Sequence, residues 1–183
     1  MLVKDIIKLA CNFTENEEIA SKIEENAVLG DDESLVVESL INCFNLVNNE
    51  IASEYLPYIK SERMQTNNFK IFFTDFSYDL CEIISIKDKN GRSLKFKIID
   101  NYVMVFAKEV DVIYSVIPQN MTINSSFDSL IPARVFAYGI AREYYFIQTL
   151  FDDADIWENR LKNSLQVLVR KKSEIKMPRR RWI

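Results

Sequence analysis

Four carboxylates near the C-terminal end form the densest group of side chains that could carry chemistry. They lie within seven positions and are Asp152, Asp153, Asp155 and Glu158. Hard divalent cations prefer oxygen ligands, so one interpretation is the metal site of a hydrolase or nuclease. Acids also stabilise the first turn of a helix through its dipole, and no second acidic motif accompanies the group. We favour the helix start and keep the metal site as the weaker alternative.

The composition excludes several kinds of active site. The chain has no histidine, which removes the commonest general base and metal ligand. Three scattered cysteines, Cys11, Cys43 and Cys81, are expected to be reduced and buried among apolar neighbours. Arg142 and Glu143 are expected to form a structural ion pair. We predict a protein that is not an enzyme, with no cofactor, no metal and no catalytic residue.

Hydrophobic periodicity predicts short helices over 2–12 and 15–27 and a long helix that Pro57 stops. Thr14 and Glu17 have the spacing of a capping box for the second helix, and Gly30 is expected to end it. The apolar stripe of the long helix is Val37, Leu40, Phe44, Val47 and Ile51.

Two further helices are expected at the C-terminal end. Pro132 suits the first turn of one, and the acids from Asp152 start the other. The expected buried stripes are Ala133, Ala137, Ile140, Tyr144, Ile147 and Phe151, then Trp157, Leu161, Leu165 and Leu168. We expect these helices to pack with the long helix as a bundle.

The middle of the chain follows the two-residue period of strands. Five strands are predicted: 69–73, 81–88, 92–98, 102–106 and 110–117. The dipeptide Asn90-Gly91 predicts a type I′ hairpin turn, which needs positive φ angles.

These elements predict an α+β fold. A helical bundle is expected from residues 1–60 and 130–172. An antiparallel β-meander of about five strands, 66–118, is inserted between them, and 173–183 form an extended tail.

No apolar run approaches the roughly 18 residues of a membrane span, and the first ten residues do not resemble a secretory signal. We therefore expect no membrane contact and a cytoplasmic origin.

Charge is distributed unevenly along the sequence. The formal net charge is -4, yet residues 1–60 carry 4 bases and 12 acids while residues 130–183 carry 11 bases and 6 acids. A basic end of this kind suits an acidic partner, either protein or nucleic acid.

The last seven residues, MPRRRWI, lie beyond the last periodic position. Arginine and tryptophan commonly anchor interfaces, and a tail that only aided solubility would not need tryptophan. The predicted partner-binding residues are Met177, Arg179, Arg180, Arg181, Trp182 and Ile183.

A second basic region points to an alternative function. Lys95 and Lys97 flank Phe96, close to Lys87 and Arg92. A sheet face with bases and aromatic rings can bind single-stranded nucleic acid. The alternative is a nucleic-acid-binding accessory protein that uses this face and the basic C-terminal tail.

Several stretches, taken in order, resemble head–tail adaptor (connector) proteins of tailed bacteriophages. They are LVNNEIASEYLPYI, DKNGRSLKFKI, VDVIYSVIP, AYGIAREYYFIQTLFDDADIWENRLKNSL and RRRW. The order is most similar to the helical adaptors with a β insertion found in short-tailed phages, and it covers about residues 35–183.

The resemblance implies a structural virion protein of the neck, at the head–tail interface, assembled in the host cytoplasm. Such adaptors form a ring, usually a dodecamer, beneath the portal protein and contact tail or nozzle proteins below. Double-stranded DNA passes through the lumen without sequence-specific binding. By this resemblance the residues from Met177 to Ile183 would dock on the portal protein.

Overall fold

The computed structural model describes residues 1–172, with side chains as far as Val169. Over this part the chain is an α+β protein, as predicted, with five α-helices and two antiparallel sheets. The predicted tail, 173–183, lies outside the described residues.

The chain forms two compact units. The described part of the first unit comprises residues 1–48 and 120–172, and the second unit comprises residues 49–119. The second unit is therefore inserted, in sequence, between the two halves of the first. Residues 58–60, which the sequence assigned to the helical bundle, are instead the start of a strand.

The first unit is helical. Its helices are α1 (Val3–Phe13), α2 (Glu17–Glu25), α3 (Asp31–Glu50), α4 (Ala133–Ile147) and α5 (Phe151–Lys172). The end of α3 belongs to the second unit, where a π-helical turn, Ile51–Tyr55, continues it until Pro57 interrupts the helix.

The boundaries of α2 differ from the prediction. Thr14 does not cap α2, because its hydroxyl donates back to the Ala10 carbonyl, 3.0 Å away, at the end of α1. Asn26 ends α2 in the left-handed conformation, φ 54°. Gly30 instead precedes α3, and its N–H donates to the Glu33 carboxylate at 2.8 Å. The capping-box and Gly30 predictions were wrong because both residues serve the neighbouring helices.

The core of the helical unit contains the predicted stripe of α3. Val37, Leu40, Phe44 and Val47 are all buried. Helix α4 packs against α1 and α5, and it approaches α3 closely at Gly139. A Cβ atom built on Gly139 would lie 2.5 Å from Val47 Cγ1. Glycine at this position therefore allows the two helices to approach.

The segment before α4 is anchored at several points. The Asn45 amide on α3 donates to the Met121 carbonyl at 3.1 Å and accepts from the Met121 N–H at 2.8 Å. The Val3 N–H donates to the Ser125 carbonyl, and the Phe127 N–H donates to the Met1 carbonyl, both at 3.0 Å. This segment is thus fixed against α3 and the start of α1.

The second unit contains the strands. They are β1 (Tyr58–Gln65), β2 (Lys70–Phe72), β3 (Leu80–Lys87), β4 (Ser93–Leu94), β5 (Phe96–Ile99), β6 (Tyr102–Val105) and β7 (Glu109–Val116). Antiparallel pairing gives one sheet in the order β1-β7-β3-β4 and another in the order β2-β6-β5. The seven described strands thus form two sheets, where the sequence predicted a single meander of about five.

The predicted strand 92–98 is divided between the sheets. Leu94 pairs with Ile86 in the four-stranded sheet, and Phe96 pairs with Val105 in the three-stranded sheet. Both Leu94 and Phe96 pack against one hydrophobic core. The apolar alternation therefore continues across Lys95 although the hydrogen-bonding partner changes, which explains why the sequence indicated one strand.

Strand β1 was missed because its sequence, YIKSERMQ, is largely polar. It pairs only with β7 and is an edge strand. Tyr58 and Met64 pack against the core, and Glu62 accepts a hydrogen bond from the Tyr114 hydroxyl at 2.5 Å. Edge strands commonly carry charged residues, which weakens the periodic signal.

The hairpin at Asn90-Gly91 is present, but its turn is not type I′. Gly91 has φ 77°, and Asn90 is not among the residues with positive φ. The Asp88 carboxylate instead accepts from the backbone N–H groups of Asn90 and Arg92 at 2.9 and 2.8 Å. These bonds lower the pKa of Asp88, the one from Arg92 most strongly.

Candidate interaction surfaces

The predicted docking residues cannot be placed on the fold. Met177, Arg179, Arg180, Arg181, Trp182 and Ile183 all lie outside the described residues, which end at Lys172 in α5.

The carboxylates Asp152, Asp153, Asp155 and Glu158 lie in the first two turns of α5. Asp152 and Asp153 occupy its first turn, where negative charge complements the helix dipole. Glu158 contacts Arg142 Nη1 at 2.8 Å and Lys162 Nζ at 2.6 Å. Within residues 1–172 no group of three or more acidic or cysteine side chains is arranged to hold a metal ion.

Arg142 connects α4 to α5. Its guanidinium also contacts Glu143 at 2.5 Å, which is the ion pair predicted from the sequence. Partial burial by itself raises the pKa of Glu158, but the hydrogen bonds from Arg142 and Lys162 outweigh it and lower that pKa. The carboxylate is thus held ionised as part of the helix–helix contact.

A patch of large apolar side chains is exposed where α4 meets α5. It consists of Phe146, Ile147, Leu150 and Phe151, each between 48% and 59% exposed, and we call it the corner patch. The Phe146 and Phe151 rings pack edge to face, with centroids 5.3 Å apart. Contiguous exposed apolar patches commonly mark interaction sites.

The sequence placed Ile147 and Phe151 in the buried stripe, and this prediction was wrong. Helix α4 ends at Ile147, and Thr149 adopts a left-handed conformation, φ 61°, before α5 begins. The last inward contact of α4 is made by Tyr145, whose hydroxyl donates to the Phe13 carbonyl at 3.1 Å at the end of α1. Apolar side chains therefore recur with helical spacing beyond the point where a neighbouring helix could cover them.

The three-stranded sheet has one core face and one outward face. Ile71, Val103 and Val105 are buried on the core face. On the other face, Met104 of the central strand β6 pairs with Lys70 of β2 on one side and with Lys97 of β5 on the other. Two residues away along β6, Tyr102 pairs in the same way with Phe72 and Ile99. We call Lys70, Phe72, Lys97, Tyr102 and Met104 the aromatic–lysine face.

Ring contacts order this face. The Phe72 and Tyr102 ring centroids lie 5.9 Å apart, and Lys70 Nζ lies 4.4 Å from the Tyr102 centroid. Phe69 and Phe106 extend the sheet at one end, because the Val105 N–H donates to the Phe69 carbonyl at 2.9 Å. Their rings lie 5.6 Å apart.

The basic face predicted from the sequence was wrong, because most of its predicted residues do not lie together on one outward face. Phe96 packs into the core, and Lys95 lies between strands of different sheets. Lys87 belongs to the four-stranded sheet, where it pairs with Asp111. Of the predicted residues Lys97 alone occupies an outward position of the three-stranded sheet. The available signal in the sequence was the alternation of Lys70 and Phe72 with the apolar Ile71, and of Tyr102 and Met104 with Val103.

The turn that presents Phe69 is conformationally unusual. Asn67 and Lys70 exchange two backbone hydrogen bonds of 2.9 Å, and both residues between them have positive φ: Asn68 at 51° and Phe69 at 64°. This is the pattern of a type I′ turn, in which glycine normally takes the second central position. A phenylalanine here costs about 1–2 kcal/mol of backbone strain.

The cysteines differ in environment. Cys11 and Cys43 are buried, as predicted, whereas Cys81 on β3 is exposed. Burial raises the pKa of both Cys11 and Cys43 to about 11, and the negative charge of Glu143 adds to the effect at Cys43. Cys81 falls at an irregularity in the pairing of β3 with β7 between Leu80 and Glu82, which no alternation pattern reveals.

This sequence matches no model of a known protein family and no curated protein significantly. None of the described helices combines the length and apolarity that crossing a lipid bilayer requires.

Proposed function

We propose that this chain is a head–tail adaptor of a tailed bacteriophage, a structural virion protein that forms a ring between portal and tail. The ring, a dodecamer by the resemblance, gives passage to double-stranded DNA in the neck of the virion. Its partners are the portal protein, tail or nozzle proteins, and further copies of the chain.

The observation that carries this proposal is the division of the chain into a helical unit with an inserted β unit. The β unit begins after α3 and ends before α4, so helices from both sides of the insertion form one compact body. That is the architecture implied by the resemblance. A shared architecture alone does not identify a function, so the surfaces must supply the rest of the argument.

The corner patch supports a role in assembly. Its four side chains would be covered by a neighbouring protein, because burial of apolar surface is the main favourable term in protein association. In a ring of identical copies, each copy presents such a patch to a different surface on the next copy. The patch lies on the helical unit, at the junction of α4 and α5.

The carboxylates of α5 support a structural rather than a catalytic interpretation. Arg142 on α4 and Glu158 on α5 form an ion pair that connects the two helices. Their arrangement stabilises the helical unit.

The tail completes the proposal. An arm that folds onto its partner loses conformational entropy when it docks, so it needs strong anchors. Arginine forks bind carboxylates in a bidentate manner, and an indole fills an apolar pocket. We propose that Arg179, Arg180, Arg181 and Trp182 make these contacts on the portal protein.

The direct test is a pull-down with the portal protein from the same genome. The full chain is compared with a truncation after Lys176 and with Trp182→Ala. We expect the full chain to be retained, the truncation to be lost, and Trp182→Ala to be weakened. Val28→Ser is the matched control, since Val28 is 92% exposed and lies on neither surface.

Two results would change the proposal in different ways. Equal retention of the full chain and the truncation would keep the adaptor function and remove the docking role of the tail. Failure of the full chain to bind the portal protein, combined with retardation of DNA, would favour the nucleic-acid-binding accessory protein.

A further inference from the structure

We propose that the aromatic–lysine face of the three-stranded sheet is a binding site for single-stranded nucleic acid. This activity goes beyond the adaptor function and does not depend on it. It also uses residues of the β unit rather than the basic C-terminal tail.

The face combines the two groups that bind single strands. Phe72 and Tyr102 offer rings in adjacent strands, 5.9 Å apart, and aromatic rings stack on unpaired bases of any sequence. Lys70 and Lys97 flank the central strand at the level of Met104 and can contact phosphates on either side. The spacing places cations beside rings along one surface.

The charge of the face suits a polyanion. The outward positions of the three described strands hold Lys70, Phe72, Lys97, Ile99, Tyr102 and Met104, none of which is acidic. Lys70 lies over the Tyr102 ring, so moving its ammonium to a phosphate would also uncover the ring for a base. Binding is expected to weaken with salt as counterions are released.

Phe69 provides an independent argument. It occupies the turn position where glycine would be unstrained, yet its ring is 44% exposed. Strained residues cluster at functional sites, where the strain is retained for what the side chain does. Its neighbour Phe106 is 77% exposed, so this pair makes the most accessible rings of the sheet.

A cleft of about 510 Å³ adjoins the same turn. It is lined by Gln65, Thr66, Asn68, Phe69, Lys108 and Glu109. The Gln65 and Asn68 amides can hydrogen-bond to a base edge, and Lys108 adds a cation beside the Glu109 carboxylate. The Thr66 hydroxyl donates to the Ala107 carbonyl at 2.6 Å. Because Phe69 belongs to both the cleft and the ring pair, the cleft extends the proposed site at that end.

Single-stranded nucleic acid fits these features better than two alternatives. A duplex hides the faces of its bases, so exposed rings would gain nothing from it. An acidic protein segment would engage the lysines but has no flat π surfaces for four rings. The occupant that uses both the cations and the rings is an unpaired strand.

The test measures binding of a fluorescein-labelled oligothymidylate of about 12 nucleotides, a length within the range of small sheet modules. Fluorescence anisotropy is recorded with the full chain and with a truncation after Lys172. We expect both to bind the oligonucleotide, and both to bind a duplex of equal length more weakly.

Three variants probe the face and the Phe69–Phe106 ring pair that extends it. Phe69→Gly and Phe106→Ser are each expected to weaken binding by about tenfold, within the range for loss of one stacked base. Phe69→Gly should keep the fold, since glycine suits the turn. Lys97→Gln should reduce the slope of log affinity against log salt by about 0.7, the value for one phosphate contact to a single strand.

Tyr78→Ala and Lys89→Gln are the matched controls. Both residues are exposed and lie in the same unit away from the face, and both variants should bind as the parent does. Thermal unfolding of every variant establishes that it is folded.

Four outcomes would overturn the inference. Binding that disappears with the tail truncation would assign it to the basic end. Equal affinity for the duplex would exclude stacking, and unchanged affinity in both Phe69→Gly and Phe106→Ser would exclude stacking on the most accessible rings. Displacement by polyglutamate at equal charge concentration would show that the face binds any polyanion, including an acidic protein.

Discussion

At the scale of single residues, the three thiols differ in burial although the sequence predicted that all three are buried. Each cysteine has apolar neighbours in the sequence, and that pattern predicts burial. Cys81 lies at an irregularity in the pairing of β3 and is exposed, whereas Cys11 and Cys43 are buried in the helical unit. Reactivity should follow this difference, because the thiolate is the nucleophile.

A thiol-labelling experiment checks this arrangement. At pH 8 a disulfide reagent should modify one thiol in the folded chain and three after unfolding, because burial raises the pKa of Cys11 and Cys43 to about 11. Cys81→Ser should abolish the rapid labelling. More than one reactive thiol in the folded parent would contradict the described burial.

Glu158 gives a pH-dependent contribution to stability. Its pKa is lower in the folded chain than its ordinary value of 4.5, so the unfolded chain binds more protons in the acidic range. The contribution is therefore fully present above about 4.5 and is lost as pH falls through the folded value. Removing the Glu158 charge should therefore lower the free energy of unfolding most near neutral pH.

The corresponding variant is Glu158→Gln. It should lower the free energy of unfolding at pH 7. The difference from the parent should shrink as the pH falls below about 4.5. Denaturant titrations at several pH values measure this. Asp155→Asn, an exposed position on the same helix, should have a smaller effect. A Glu158→Gln difference that stays constant with pH would contradict the ion-pair account.

At the scale of secondary-structure elements, the closest helix contact is made at Gly139. A β-carbon there would lie 2.5 and 2.9 Å from the two Val47 methyl groups, so a substitution forces the helices apart. Overpacking of this kind costs about 1–3 kcal/mol, and the better helix propensity of alanine offsets up to ~1 kcal/mol.

Gly139→Ala should therefore lower the free energy of unfolding by about 1–2 kcal/mol. In a Val47→Ala background the same change should be neutral or stabilising, since the methyl groups are gone. Urea unfolding of the four combinations gives the coupling between the two positions. Additive effects would show that the helices do not meet at Gly139.

The elements that the sequence predicted well share one property: strong periodicity over a buried face. Helix α3 and strand β7 are examples, since their apolar positions meet a core along most of their length. The edge strand β1 and the division at Lys95 were missed because pairing partners are set by tertiary contacts. Hydrophobic alternation reports burial and does not report which strand lies alongside.

The candidate surfaces depended on similar information. The residues of the corner patch continue the helical spacing of the apolar stripe, but no described neighbour covers them. Their exposure follows from where α4 and α1 end, which the sequence pattern does not give. The aromatic–lysine face depends on the register of three strands. Neither surface could be predicted from the sequence alone, because each depends on where other elements lie.

At the scale of the whole molecule, we predict that the corner patch serves assembly of the copies. Phe146→Ser together with Phe151→Ser should leave the fold intact, since both side chains are more than half exposed. The double variant should lose association between copies when it is mixed with the portal protein. Analytical ultracentrifugation of the mixture measures the loss.

Leu130→Ser is the control for this experiment. Leu130 is 86% exposed and lies outside the corner patch, so its replacement should leave assembly unchanged. Equal assembly of the double variant and the control would show that another surface joins the copies.

Electron microscopy of the purified complex tests the proposal that this chain forms a ring on the portal protein. We predict an added ring of identical copies at one end of the portal, with a continuous channel through both. Portal particles that remain bare at saturating concentrations of the full chain would contradict the adaptor function.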